Sequence, residues 1–297
     1  MSGAGGAAGA VTPFVVLTFT IAGLVFVAVV VALGAALSPR DRARSLTERG
    51  GVRAVLVLGG IVPAIVVAAF FMLSLVVTAR LTAARAPDVA VEVVGHQWWW
   101  EFRYGSAATA NELHVPVGER VELRLRSADV IHSFWVPALQ GKTDAVPGQT
   151  NTMWLTAERP GRYDGVCAEF CGVQHAWMRL VVVAEPRAVF DRWLARQSED
   201  RRPPSGPAAE GERAFLGHVC VDCHTIRGTA ARATVGPDLT HLAGRSLVGA
   251  GVLRNDPAAL RAWIDDPQHF KPGAFMPAVP LGVAERDALV TYLGSLE

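Results

Sequence analysis

Hydrophobic and polar positions divide the 297-residue chain into four regimes. Val11 to Leu37 contains no charged residue, and neither does Ala54 to Ala79. Each run exceeds the ~20 apolar residues that a membrane-spanning helix needs. Residues 1–85 therefore read as a transmembrane hairpin with spans at about 11–37 and 54–79. Pro63 inside the second run is tolerable, because neighbouring helices satisfy the backbone groups it frees. A signal peptide is the competing reading of the first run, but a basic n-region is missing and the run is too long for an h-region.

From Val89 the period shortens to two. Val89 to Val94, Arg120 to Arg126 and Arg179 to Val183 carry strand-like runs, and Arg120 to Arg126 alternates polar and apolar positions. Gly118, Gly141, Pro147, Gly148, Pro160 and Gly161 punctuate them as turns. Short strands with such turns predict an antiparallel sandwich or barrel over residues 86–197, closed by a helix from Pro186 to Gln197. Ser198 to Glu210 holds Pro203, Pro204 and Pro207 among charges and small residues, and reads as a semi-rigid linker. Beyond it the apolar spacing becomes helical, in Glu212 to Val219, Pro257 to Asp265 and Val283 to Leu296. Residues 211–297 thus form a small all-α domain.

Charge adds an orientation. Residues 38–53, between the two apolar runs, hold five Arg against Asp41 and Glu48. The positive-inside rule puts that loop in the cytoplasm and both termini outside. A net charge of +1 argues for neither nucleic acid nor a strongly charged partner.

Two clusters carry chemistry. Cys167, Cys171, His175 and Met178 lie within twelve residues of one another, and His132 stands 35 residues before Cys167. Zinc accepts two Cys and two His, and a disulfide with bystander histidines is a further reading. An imidazole–thiolate set with a weak Met is a copper electron-transfer signature. The second sulfur four residues from the first suits two copper ions bridged by both thiolates better than it suits zinc. Near the other end, Cys220, Cys223 and His224 spell C-x-x-C-H, a covalent haem attachment with His224 as proximal iron ligand. His/Met ligation is usual in cytochromes c, and the only Met after Met178 is Met276. All four Cys are then used, two per cofactor. His96, His114, His218, His241 and His269 are assigned no chemistry.

The copper motif resembles that of subunit II of the haem–copper cytochrome c oxidases, which oxidise cytochrome c and reduce dioxygen. The resemblance implies a dinuclear copper centre (CuA) in which each copper takes His132 or His175 and both share Cys167 and Cys171. Met178 and the backbone carbonyl of Glu169 would be the weak axial ligands. In the family the carboxylate of that Glu also reaches a magnesium ion at the interface with subunit I. The run Gly95 to Trp100 resembles the family's aromatic segment, which makes Trp98 an exposed port for electrons. The alternative for Trp98, Trp99 and Trp100 is packing in a strand core. Gly236 to Leu239 resembles the turn of class I cytochromes c whose Pro carbonyl, here that of Pro237, receives the proximal His N–H.

The whole chain then resembles the caa-type oxidases, in which a fused cytochrome c follows subunit II. That implies a two-helix hairpin, an all-β cupredoxin Greek-key domain and an all-α class I cytochrome c domain in a bacterial plasma membrane. Implied partners are oxidase subunits I and III, membrane lipid, and cytochrome c or a similar small donor. Arg245, Trp263 and Lys271 stand between haem or docking contacts and ordinary surface or packing roles. One departure is visible. Many relatives carry a Glu about two turns before the second-span Pro, where it helps admit protons, whereas residues 51–62 contain no carboxylate. Other classes remain open: the CuA subunit of a nitric oxide reductase or another haem–copper relative, or a membrane-anchored copper chaperone or redox sensor. A metal carrier needs no second redox centre, which weighs against the last.

Overall fold

The computed structural model describes residues 5–37, 48–82 and 86–297. Helix α1 spans Gly6–Leu37. Helices α2, Glu48–Leu56, and α3, Val62–Thr82, run on from one another through a π-helical stretch, Val57–Ile61. The cause is local. Pro63 has no N–H and its ring conflicts with the carbonyl four residues back, so the ladder widens over Gly59 and Gly60. Thr18 and Thr20 return their hydroxyls to the carbonyls of Phe14 and Val16, both at 2.8 Å, which satisfies them without water. The segments Val11–Ala35 and Gly50–Ala79 are long and apolar enough to cross a membrane. The Arg-rich loop used above for orientation lies largely outside the described residues.

Residues 87–297 form a compact unit of their own. Its first part is a two-sheet sandwich. Strands β1 (Val89–His96), β2 (Trp99–Tyr104), β3 (Ala107–Ala110), β5 (Val121–Ser127) and β8 (Asn151–Leu155) form one sheet in the order β3-β2-β1-β5-β8. Strands β4 (Glu112–Pro116), β6 (His132–Trp135), β7 (Thr143–Ala145), β9 (Gly161–Cys167) and β10 (Arg179–Glu185) form the other, in the order β4-β10-β9-β6-β7. Pairing is not wholly antiparallel, because β1 runs parallel to β5 and β4 parallel to β10. These partners are joined by long crossovers rather than hairpins, and the crossovers create the Greek-key topology.

The period-2 reading of β5 holds: Val121, Leu123 and Leu125 are fully buried while Glu122, Arg124 and Arg126 point away from the core. With Val93, Leu113 and Phe134 they build the sandwich core, each contributing roughly 1.5–3 kcal/mol by burial. Helix α4, Arg187–Gln197, closes the sandwich by inserting Phe190.

The second part is helical: α5 (Pro207–Gly217), α6 (Pro257–Asp265), α7 (Pro267–Phe270) and α8 (Val283–Leu293), with a short hairpin of β11 (Leu247–Val248) and β12 (Leu253–Arg254). Helix α5 begins four residues before Gly211, because Pro207 takes the N1 position, where its missing N–H costs nothing. Gly211 lets α5 and α8 cross closely, since a Cβ there would run into the Ala288 carbonyl. The linker is tied down. Arg227 donates to the Glu199 carbonyl at 2.9 Å and to that of Gln197, and Arg201 pairs with Glu212. The two parts also join through Glu112, whose carboxylate is buried and accepts from the Ser246 and Leu247 amides at 2.8 and 3.1 Å.

Candidate metal centres

Strands β6 and β9 end beside one another, with Phe134 opposite Cys167, so their pairing sets His132 against the first thiol. The loop after β9 then folds back before β10 and brings Cys171, His175 and Met178 to the same place. Cys167 Sγ lies 3.8 Å from Cys171 Sγ, 3.9 Å from His132 Nδ1 and 3.2 Å from the Glu169 carbonyl oxygen. Cys171 Sγ lies 3.6 Å from His175 Nδ1 and 3.8 Å from Met178 Sδ. A sulfur separation of 3.8 Å is far beyond a disulfide bond of about 2.05 Å, and both thiols are free.

Each imidazole therefore addresses a different thiolate, and Met178 and the Glu169 carbonyl address one sulfur each. This donor set fits a thiolate-bridged metal pair. Ligand atoms of His132, Cys167 and Cys171 all fall within 4.8 Å of one another. The Glu169 residue is exposed, so its carboxylate is free of the centre.

Electrostatics favour a bound cation. A hydrogen bond from the Cys171 thiol, helped by His132 and by backbone groups at Glu169 and Ser133, holds Cys167 well below the ordinary thiol range against its burial. Cys171 is pushed the other way by that neighbouring thiolate and by burial. The pair shares one proton until metal replaces it.

A supporting shell fixes the ligands, and its members were not singled out from sequence. Asp129 Oδ1 accepts from His132 Nε2 at 2.7 Å, which leaves Nδ1 free to face Cys167. Burial raises the Asp129 pKa and lowers that of His132, but their mutual hydrogen bond together with the Val130 and Gln97 amides on Asp129, and with Cys167 beside His132, outweighs it, so Asp129 ends lowered and His132 raised. The Gln97 amide donates to Asp129 Oδ2 at 2.6 Å. Gly95 is required beside the ring, because a Cβ there would stand 2.7 Å from His132 Cδ2. An acid three residues before a ligand His was the available sequence signal.

Trp98 is only 7% exposed, unlike the open surface residue expected of it. Its indole donates to the Cys171 carbonyl at 2.9 Å, and the Phe275 ring of the helical domain stacks on it at 5.4 Å. Trp99 and Trp100 are buried too, so packing accounts for those two.

The helical domain encloses an apolar cavity lined by Cys220, Cys223, His224, Pro237 and Met276, with Trp98 contributing to its wall. His224 Nδ1 donates to the Pro237 carbonyl at 2.8 Å. A carbonyl only accepts, so the tautomer is set and Nε2 is left for a metal. Burial holds the His224 pKa below its usual value, which keeps the imidazole neutral. A Cβ at Gly236 would sit 2.7 Å from His224 Cε1, so that position must be glycine. Thiols, neutral imidazole and thioether around one apolar cavity fit a covalently held haem. Arg245 is buried on the cavity wall, and its Nε lacks a hydrogen-bond partner. The remaining histidines have structural contacts: His96 stacks on Trp99 at 4.2 Å and His114 on Trp193 at 4.0 Å, His218 meets Glu285 at 2.8 Å, and His241 lies 2.7 Å from the Glu297 carbonyl.

Fold and donor geometry define a class: a cupredoxin-type sandwich with a sulfur–imidazole centre, joined to a cytochrome c-type domain. Comparison with known proteins agrees. Residues 105–185 match the family described as cytochrome c oxidase subunit II, periplasmic domain, and residues 208–297 match cytochrome c. Cytochrome c oxidase subunit 2 of Alkalihalophilus pseudofirmus is 42% identical over 213 residues, covering 70% of this chain and 61% of that protein. The subunit 2 of Bacillus sp. strain PS3 is 35% identical over 224 residues, 70% of this chain and 62% of that protein. A solved periplasmic domain of cytochrome oxidase subunit II from Bradyrhizobium japonicum aligns at 29% identity with a TM-score of 0.36, over 37% of this chain and 94% of that one. The matches thus span about three-fifths of the curated relatives. The chain thus carries a cytochrome c oxidase subunit II periplasmic domain followed by a C-terminal cytochrome c domain.

Proposed function

We propose that this chain is the electron-accepting subunit of a respiratory cytochrome c oxidase. Electrons pass from a small c-type donor to haem c, then to dinuclear CuA, then to the dioxygen-reducing haem–copper centre of subunit I. The cavity of the helical domain is walled by Trp98, whose indole is bonded to the Cys171 backbone, and this observation carries the reading. One residue thus bridges the two candidate centres.

His132, Cys167, Cys171, His175, Met178 and the Glu169 carbonyl would hold two copper ions. Cys220 and Cys223 would hold the haem covalently, with His224 and Met276 on the iron. A thiolate-bridged pair shares one unpaired electron, which keeps reorganisation on reduction small. The protein's own part is to fix the ligands, keep water out and hold Trp98 between the sites. Phe170 and Val173, beside Cys171, are 75% and 72% exposed, and with Glu169 they offer a surface for subunit I and a magnesium ion. The two apolar helices anchor the chain among lipids and beside subunits I and III in a bacterial plasma membrane, with residues 86–197 and 211–297 outside.

Rapid mixing of the intact complex with a reduced donor tests this reading. Haem absorbance is expected to change before copper absorbance, with a second step whose rate is independent of donor concentration. Copper reduced first would make Trp98 a port for external donors and the haem an accessory.

A further inference from the structure

The chain contains only two lysines, Lys142 and Lys271, among 28 basic residues. Lys142 is exposed, but Lys271 is 3% exposed and donates its ammonium to the Trp98 carbonyl at 2.9 Å. Lys271 opens the loop that ends at Met276, and Pro272, Gly273 and Phe275 of that loop also meet the copper domain. Gln174 donates to the Pro272 carbonyl at 2.5 Å, and Phe275 lies on the Trp98 ring. Gly273, in the left-handed region at φ +85°, allows the approach, because a Cβ there would meet Val173 Cγ2 at 2.9 Å. Gly172 does the same from the other side, where a Cβ would meet Trp98 Cζ2 at 3.0 Å.

We propose that Lys271 is a positioning residue for electron transfer within the chain: its bond to the Trp98 carbonyl locks the Met276 loop into one register over the Trp98–Cys171 bridge. The inference rests on the haem-to-copper relay proposed above. Burying an ammonium is a poor way to gain stability, yet a buried polar group with one fitting acceptor does select a register. Apolar contacts such as Phe275 on Trp98 are non-directional and would tolerate sliding. Lysine suits the task in a chain otherwise rich in arginine, since a compact ammonium fits where a planar guanidinium fork would not.

Two measurements test it. In the purified complex, Lys271→Ala should slow the first-order haem-to-copper step about tenfold or more, since an ångström of misplacement between reacting groups can cost up to a hundredfold. The bimolecular rate with reduced donor and both midpoint potentials should stay unchanged, as they should in Lys142→Ala. An unchanged first-order step, or one slowed only alongside a shifted potential, overturns the proposal. Lys271→Met, which retains the packing of the stem, replaces the alanine variant if that fails to assemble.

The second measurement needs no variant. In the wild-type complex treated with an amine-selective acylating reagent, Lys271 should react about tenfold or more slowly than Lys142, as a buried amine becomes reactive only through local opening. Equal rates would mean that the clamp is open and would sink the proposal. Copper reduced before haem in the wild type would instead sink the relay, whatever the acylation result.

Discussion

The Trp98 indole N–H donates to the backbone carbonyl of Cys171 at 2.9 Å, and Gln97 Nε2 donates to the same oxygen at 2.8 Å. A buried side chain thus reaches the main chain of a candidate copper ligand directly. Trp98→Phe keeps an aromatic ring but removes that N–H, at a stability cost of about 1 kcal/mol. The oxidised copper spectrum should be nearly unchanged, while the haem-to-copper rate falls. Stopped-flow spectroscopy on the variant checks both; an unaltered rate would remove Trp98 from the path.

Asp129 orients His132 through its Nε2–H, so Asp129→Asn should weaken copper retention without touching a ligand. Loss of such a supporting partner typically costs 10–100-fold in metal affinity, and about that factor is expected here. Chelator titration followed by metal analysis reads it directly. Cys171→Ser, by contrast, should abolish the paired site altogether.

Gly236→Ala tests the haem side. The added methyl would stand 2.7 Å from His224 Cε1, next to the Nδ1 that the Pro237 carbonyl holds. Overpacking of this kind costs typically 1–3 kcal/mol, and the ring must tilt away from its Pro237 bond. The covalent haem should still form through Cys220 and Cys223, with altered iron-ligand absorbance and a lower melting temperature.

Burial pushes the Lys271 pKa from 10.5 down to about 8, only partly offset by charge at nearby Cys171. Between those values the unfolded or undocked chain binds a proton that the docked chain does not. Stability therefore rises with pH from about 8 to 10.5, by up to ~1.4 kcal/mol per pH unit, and that gain is absent below pH 8. Denaturant unfolding across this window should show the rise in wild type and a flatter profile in Lys271→Ala. Identical slopes would contradict the burial of this amine.

Glu112 is another link between the sandwich and the helical domain. Replacing it with Ala would leave the Ser246 and Leu247 amides without their acceptor, at about 1–3 kcal/mol for each N–H that stays buried. Limited proteolysis of residues 198–206 should release the helical domain faster than in wild type.

The sequence determined much of this protein by itself. Two uncharged runs, a period of two and then helical spacing set the order of the domains, because burial follows side-chain pattern before any tertiary contact exists. The spacing of Cys167, Cys171, His175 and Met178, and the C-x-x-C-H motif, named the candidate ligands, because coordination chemistry restricts which side chains serve. Three features only the tertiary structure decided. The parallel pairing of β1 with β5 depends on crossovers between strands distant in sequence, which no local period encodes. Asp129 beside His132, and Glu112 beneath Ser246, acquire meaning only from what folds against them. Trp98 looked like a surface port, and it lies buried because the loop from Lys271 to Phe275, more than 170 residues further along the chain, packs over it. Domain docking is a contact between surfaces, and its residues leave no periodic trace in the chain.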